Sequence, residues 1–208
     1  TPTRAALMSG QYPARTGVFT VGSVDRFDWR SRPLRPVENV TNLPLDREIV
    51  AARLKKAGYA TALIGKWGVG HEGSDGVPNK KGFDYFYGYL DQRHAHNCYP
   101  DFIVRNAERV PLRNRAIVGK SDESGAGVAE VAVDFVPDLM AAEALKWVEQ
   151  NKERPFFLYW SLVTPHANNE GTKLGRGQEV PDLGAYADKP WPQPDKAHAA
   201  TIARDRKS

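Results

Sequence analysis

The chain has 208 residues, 41% of them hydrophobic and five of them tryptophan, enough apolar material for one substantial core within the size of a single domain. Its 29 basic and 25 acidic residues are interspersed and leave a formal charge of +4, which excludes the dense basic stripe of a nucleic-acid-binding surface and favours anionic ligands only weakly. No run of about 18 apolar residues marks a membrane span, the first residues carry no basic-plus-apolar leader, and Cys98, the single cysteine, excludes an internal disulfide and reads as a buried thiol.

Thr1 to Gly10 reads as a short helix. Thr1 suits the N-cap, Pro2 the first helical position, where a missing N–H costs nothing, and Gly10 a left-handed stop. Free N–H groups and the positive end of the dipole at the start of such a helix, joined by the guanidinium of Arg4, make a seat for a tetrahedral oxyanion. The alternative is a plain amphipathic helix with Arg4 in solvent. Residues 45–57 have helical apolar spacing, with Ile49, Val50 and Leu54 inward and Gly58 as the stop. Tyr59 to Ile64 then runs extended and apolar. Helix, glycine turn and strand form the unit of an α/β sheet, and its strand delivers Gly65-Lys66-Trp67-Gly68-Val69-Gly70 to the edge where such sheets bind ligands. Glycines there let the backbone approach a ligand while the Lys66 ammonium neutralises an oxyanion; the alternative is a solvated lysine at a glycine-rich exit.

Gly82 to Tyr89 is aromatic at nearly every other position and reads as a packed loop or short strand. His94 and His96 share one side of a strand if their segment is extended, a spacing that also suits a metal pair. Phe102 to Leu112 reads as a surface hairpin turning near Asn106-Ala107, and Gly119 to Gly127 as a polar loop. A helix from Phe135 to Asn151 buries Val136, Leu139, Met140, Ala144, Trp147 and Val148, and a buried-type strand from Pro155 to Leu162 ends at Val163-Thr164-Pro165-His166. His166 is either structural or, like Lys66, delivered by a strand end to the edge expected for the opening helix. Residues 168–194 are rich in glycine and proline and read as a long loop framing a cleft, and Ala197 to Arg206 as the start of another helix.

With one more residue in front, Thr1 to Gly10 resembles the sulfatase signature Cys/Ser-x-Pro-x-Arg-x-x-x-Met-Ser/Thr-Gly. Gly58-Tyr59-Ala60-Thr61 followed by Gly65-Lys66-Trp67 is similar to the second signature of that family. Gly82-Phe83-Asp84 with Phe86 and Gly88, and Pro155-Phe156-Phe157-Leu158-Tyr159 with Pro165-His166, resemble two further segments in the family's order. The resemblance implies an α/β, alkaline-phosphatase-like sandwich, a mixed central sheet with helices on both faces, of which residues 1–208 are a partial, N-terminal-side catalytic domain. It implies hydrolysis of a sulfate monoester by a formylglycine that a formylglycine-generating enzyme makes from the residue just before Thr1. Arg4 would then hold the nucleophile, Lys66 bridge nucleophile and sulfate, and His166 assist the leaving alcohol, with Gln92 and His94 on the substrate side.

By the resemblance, the family's calcium (Ca2+) takes its ligands mostly from outside this chain, so no metal ligand, weak or no calcium binding and no activity are expected of these 208 residues alone. Periplasmic or extracellular location is the family's habit. One departure stands out: the family histidine two residues after the lysine is Gly68 here, which leaves His71, His94 and His96 as candidate substitute bases. Two rival readings are a phosphomonoester or phosphonate hydrolase of the same superfamily and a non-catalytic homologue that binds sulfated glycans; the residue upstream of Thr1 discriminates among them.

Overall fold

The structure, a computed structural model, describes residues 1–20, 40–44, 46–116 and 125–205. Among these residues seven strands are formed: β1 (Ala60–Lys66), β2 (Tyr85–Tyr89), β3 (Phe102–Arg105), β4 (Glu108–Pro111), β5 (Arg115–Ala116), β6 (Ala129–Val131) and β7 (Phe156–Ser161). Five α-helices accompany them: α1 (Pro2–Ser9), α2 (Pro13–Thr16), α3 (Val50–Lys56), α4 (Val136–Asn151) and α5 (Gln193–Asp205). The main sheet has the order β4-β3-β2-β1-β7, and β5 pairs with β6 separately. β1 runs parallel to β2 and β7, whereas β2–β3 and β3–β4 are antiparallel, so the sheet is mixed as the family resemblance implies.

Strand alternation sorts the apolar side chains onto two faces. Leu63, Phe86 and Val104 pack with Ala5 and Met8 of α1 and Ala51 of α3. Ala62, Ile64, Tyr87 and Ile103 face the other way, against Val136, Met140, Ala144 and Trp147 of α4. Helices thus cover both faces, and the two central parallel strands are mostly apolar and almost wholly buried because neither face meets water. Each of these large side chains contributes about 1.5–3 kcal/mol on burial. An exposed pair such as Lys152–Glu149 adds well under about 1 kcal/mol, so the two cores set the architecture.

At the ligand edge the strands close up. Gly88, Gly65 and Ser161 are register partners on β2, β1 and β7. A Cβ on Gly65, at φ +117°, would lie 2.0 Å from the Ser161 carbonyl oxygen. Glycine therefore lets the two strand ends approach side by side and brings Lys66 near the exit of β7.

Several expectations need correction. α3 begins at Val50, not at residue 45, because the buried Lys81 ammonium captures the carbonyls of Pro44, at 2.6 Å, and of Arg47, which a helix would use for its own ladder. Leu45 lies outside the described residues. β1 extends two residues further than expected, through Lys66, whose partner is Tyr89. His94–His96 is a 3-10 turn and not a strand, because Asp91 Oδ1 accepts from the backbone N–H of Arg93 and His94 and curls the chain. α5 begins at Gln193, ahead of the apolar residues that suggested Ala197, and Arg206 is outside the described residues, as are positions 119–124 of the expected polar loop. The hairpin turns at Asn106, in left-handed conformation at φ 54°, and is built into the sheet edge through β3; Cys98 is buried as expected.

The closeness at Gly65 yields a stability prediction. Gly65→Ala should lower the unfolding free energy of the full-length protein by at least about 2 kcal/mol, from backbone strain and the overlap with Ser161. A urea midpoint equal to the wild type's would show that the strand ends do not close up in this way.

Candidate active site

Arg4 lies in the first turn of α1 and its guanidinium spans to both strand ends. Nη1 donates to the Trp67 carbonyl at 2.7 Å, Nη2 to Ser161 Oγ at 2.9 Å and Nε to Tyr159 Oη at 3.3 Å. The start of α1 is thereby fixed beside the exits of β1 and β7. Ser161 and Tyr159 were missed at the sequence level, although strand alternation places Phe157, Tyr159 and Ser161 on one face of β7 and two of these three carry hydroxyls.

Thr1 occupies the N-cap position and Gly10 the left-handed stop, as expected, but the Thr1 hydroxyl makes no capping bond. Instead Gln92 Nε2 donates to Thr1 Oγ1 and, at 3.3 Å, to the Gly68 carbonyl. Gln92 also fills the space beside Gly68: a Cβ at position 68 would fall 1.8 Å from its Nε2. A small pocket of about 10 Å³, room for one water molecule, lies here between Gly68, Gln92, Asp91 and His71.

The electrostatics at this edge favour an anion. Lys66 is half-buried with no hydrogen-bond or ion-pair partner among the described residues, and burial, then the charge of Arg4, hold its ammonium down at about 8 against the pull of Asp91. Two positive side chains and the N-terminus of α1 together offer the charge and the N–H donors that a tetrahedral oxyanion requires.

His166 follows β7 and is exposed; its Nδ1 bonds the Ala167 carbonyl at 2.7 Å. Its ring stacks on that of His96, centroids 5.0 Å apart. His96 is buried, with Nδ1 3.0 Å from Glu170 Oε2, and burial holds it below the usual histidine range although Glu170 pulls the other way. The electrostatic influence of both His166 and Lys66 reaches it. Sequence position gave no sign of Glu170, which lies 74 residues from His96.

His94 is not brought to this edge. It is buried against Tyr89 and Phe102, with Nε2 on the Phe102 carbonyl at 3.0 Å, and faces away from His96 because the turn between them is 3-10. Arg4, Lys66, Gln92, His96 and His166 are brought together; His71 stands on the neighbouring pocket wall. Among the described residues no group of three or more His, Cys, Asp or Glu converges as a metal cage, so these side chains do not by themselves fit the calcium that the family resemblance implies.

This mixed sheet, with an arginine, a lysine and a histidine gathered at one edge by α1, β1 and β7, is the arrangement of a sulfatase-type domain. The sulfatase family model matches residues 1–202, and the chain belongs to that family. Human N-acetylgalactosamine-6-sulfatase is 30% identical over 192 residues, 90% of this chain and 34% of that protein. An arylsulfatase of Hemicentrotus pulcherrimus is 29% identical over 181 residues, 81% of this chain and 29% of the relative. The chain thus spans about a third of the length of the curated relatives it matches. Among solved structures, Ps i-CgsB in complex with k-i-k-neocarrahexaose aligns with 99% of this chain and 42% of its own at TM-score 0.60 and 23% identity. The PsFucS1 sulfatase from Pseudoalteromonas sp. aligns with 100% and 40% at TM-score 0.58 and 21% identity. The fold is the alkaline-phosphatase-like one.

Lys66 makes anion binding pH-dependent. An ammonium that must be protonated to hold sulfate, and loses its proton near 8, should leave the affinity of the full-length protein for inorganic sulfate nearly constant below pH 7 and about 10-fold weaker at pH 9. Titration calorimetry on the wild type and on Lys66→Met checks this, since the variant should show weak binding without the step. An equal step in both proteins would assign it to another group.

Proposed function

We propose that residues 1–208 are part of the catalytic domain of an enzyme that hydrolyses a sulfate monoester, an aryl sulfate or a sulfated glycan. The observation that carries this reading is the convergence of Arg4, Lys66 and His166 on one sheet edge beside the start of α1, where two positive side chains favour an anion. The names of the relatives, an N-acetylgalactosamine-6-sulfatase and an arylsulfatase, and the neocarrahexaose bound to one structural neighbour support a sulfated sugar as substrate. Loop 168–194 would border the cleft, Glu170 being its point of contact with the site.

A formylglycine made by a formylglycine-generating enzyme from the residue preceding Thr1 supplies the nucleophilic hydroxyl. Arg4 places α1 so that this residue meets the sulfate, and its charge with that of Lys66 favours the ionised hydroxyl and the sulfate oxygens. His166 delivers a proton to the alcohol oxygen as the S–O bond breaks. Gln92 donates to Thr1 and Gly68 and holds the nucleophile's neighbour in place at the substrate edge. At the position of the missing family histidine the amide of Gln92 cannot accept a proton, and His71, on the wall of the same pocket, is the substitute base that the geometry favours over the buried His94. Calcium would be held by acidic residues outside this chain. Location in a periplasm or outside the cell fits this reading, and among the described residues no helix is long and apolar enough to cross a membrane.

The test uses the full-length protein coexpressed with a formylglycine-generating enzyme. Mass spectrometry should find the aldehyde at the residue before Thr1, and 4-nitrophenyl sulfate or a sulfated galactosamine glycan should release sulfate. Lys66→Ala should lower kcat/KM by about 10²-fold or more. Full activity in Lys66→Ala would refute the sulfate clamp. Phosphate release without sulfate release would favour the phosphohydrolase, and glycan binding without hydrolysis the non-catalytic homologue.

A further inference from the structure

His96 and His166 come from distant parts of the chain, the turn after β2 and the exit of β7, yet their rings lie face to face, 8° from parallel. In each ring Nδ1 meets an oxygen acceptor, Glu170 Oε2 for His96 and the Ala167 carbonyl for His166. A carboxylate and a carbonyl accept, so both Nδ1 atoms donate and Nε2 is left without a hydrogen in each neutral ring. Two imidazolium ions with centroids 5.0 Å apart repel each other. The pair therefore takes up one proton readily and a second reluctantly. Burial makes His96, 6% exposed, a poor home for a proton.

The charged and titratable groups facing His96 are Glu170, His166 and Lys66, and Arg93 stands 3.8 Å from the second oxygen of Glu170. Glu170 is thus held by two partners and in turn fixes the His96 ring. We propose that His96, anchored by Glu170, is a positioning residue for His166: it offers a fixed imidazole face on which the His166 ring stacks, leaving Nε2 free to carry the proton for the leaving group. The proposal rests on the sulfatase reading, in which the S–O bond breaks, its electron pair stays on the alcohol oxygen, and that oxygen takes the proton from His166 Nε2. A purely structural pair that only pins loop 168–194 to the turn would affect stability but would not discriminate between leaving groups.

Leaving-group dependence separates the two roles. A 4-nitrophenolate departs with little protonation, whereas a sugar alkoxide needs a proton. In the full-length enzyme, His96→Ala and Glu170→Ala should lower kcat at least about 10-fold on a sugar sulfate and less than about 3-fold on 4-nitrophenyl sulfate, with little change in KM. Glu170→Gln, whose amide oxygen still accepts from Nδ1, and His96→Phe, which keeps a flat ring, should each recover part of the loss. Equal losses on both esters, or a change in KM alone, would overturn the proposal. Independently of turnover, NMR titration should show the His96 ring binding its proton at higher pH in His166→Ala than in the wild type, and an unchanged midpoint would also overturn it. A wild-type enzyme that hydrolyses neither ester would instead overturn the sulfatase reading, and the NMR result would then decide whether the stacked pair exists.

Discussion

The guanidinium of Arg4 is the interaction on which the site depends. Three donors of one planar cation reach the carbonyl at the exit of β1 and two hydroxyls of β7, so a single side chain registers α1 against two parallel strands. Hydrogen bonds to charged groups contribute about 1.5–3 kcal/mol each, more than any surface ion pair of this chain, and their directions fix an orientation that burial of Ala5 and Met8 alone would leave loose. Apolar packing holds α1 on the sheet. Arg4 decides where along the sheet its first turn ends up, and Gln92 grips the same turn from the other side through Thr1.

Arg4 acts only because the strand ends have already closed up. Gly65 and Gly88 let β1 sit tightly against its neighbours, and the chain then turns at Trp67, whose indole N–H donates to the Gly76 carbonyl at 2.7 Å and whose ring meets the edge of Phe83. The carbonyl that Trp67 presents to Arg4 is held by this buried anchor. Backbone closeness, a buried indole and one cation thus form a hierarchy in which each level presupposes the one before. The cost is electrostatic: Lys66 is desolvated by burial and stands near Arg4, with Asp91 opposing both effects. The fold lowers the lysine from its ordinary value to about 8, so the penalty on stability is full below that pH and vanishes above the ordinary lysine range. A bound oxyanion offsets the same penalty.

Much of this order was legible in the residues. Helical spacing marked α4, continuous apolar character marked β1 and β7, and the proline and glycine at either end of α1 marked its limits, because these are local effects of sterics and burial. What escaped depended on side chains reaching across the sequence. Lys81 unwinds the expected helix before Val50 by taking two of its carbonyls, and Asp91 curls the His94–His96 segment by accepting two backbone N–H groups. Lysine and aspartate at those positions look like ordinary surface residues until the fold shows what they touch. The candidate site divided in the same way: Arg4, Lys66 and His166 stood at helix and strand ends that periodicity could locate, whereas Glu170 and the two β7 hydroxyls acquire meaning only once β7 is seated beside β1.

Gly68 shows how a departure from a family pattern is absorbed physically. Its backbone is left-handed, at φ +71°, and the volume a side chain would need is taken by the amide of Gln92. That amide uses Nε2 to donate to Thr1 and to Gly68, so the position without a side chain is a hydrogen-bonded bridge between the start of α1 and the β1 exit. An amide can tie these elements together but cannot carry a proton at neutral pH. In the reading proposed above, positioning and proton transfer, which one imidazole could combine, are therefore separated: Gln92 supplies the first beside Thr1, and the proton chemistry falls to rings that stand further off, His71 on the same pocket wall and His166 stacked on His96.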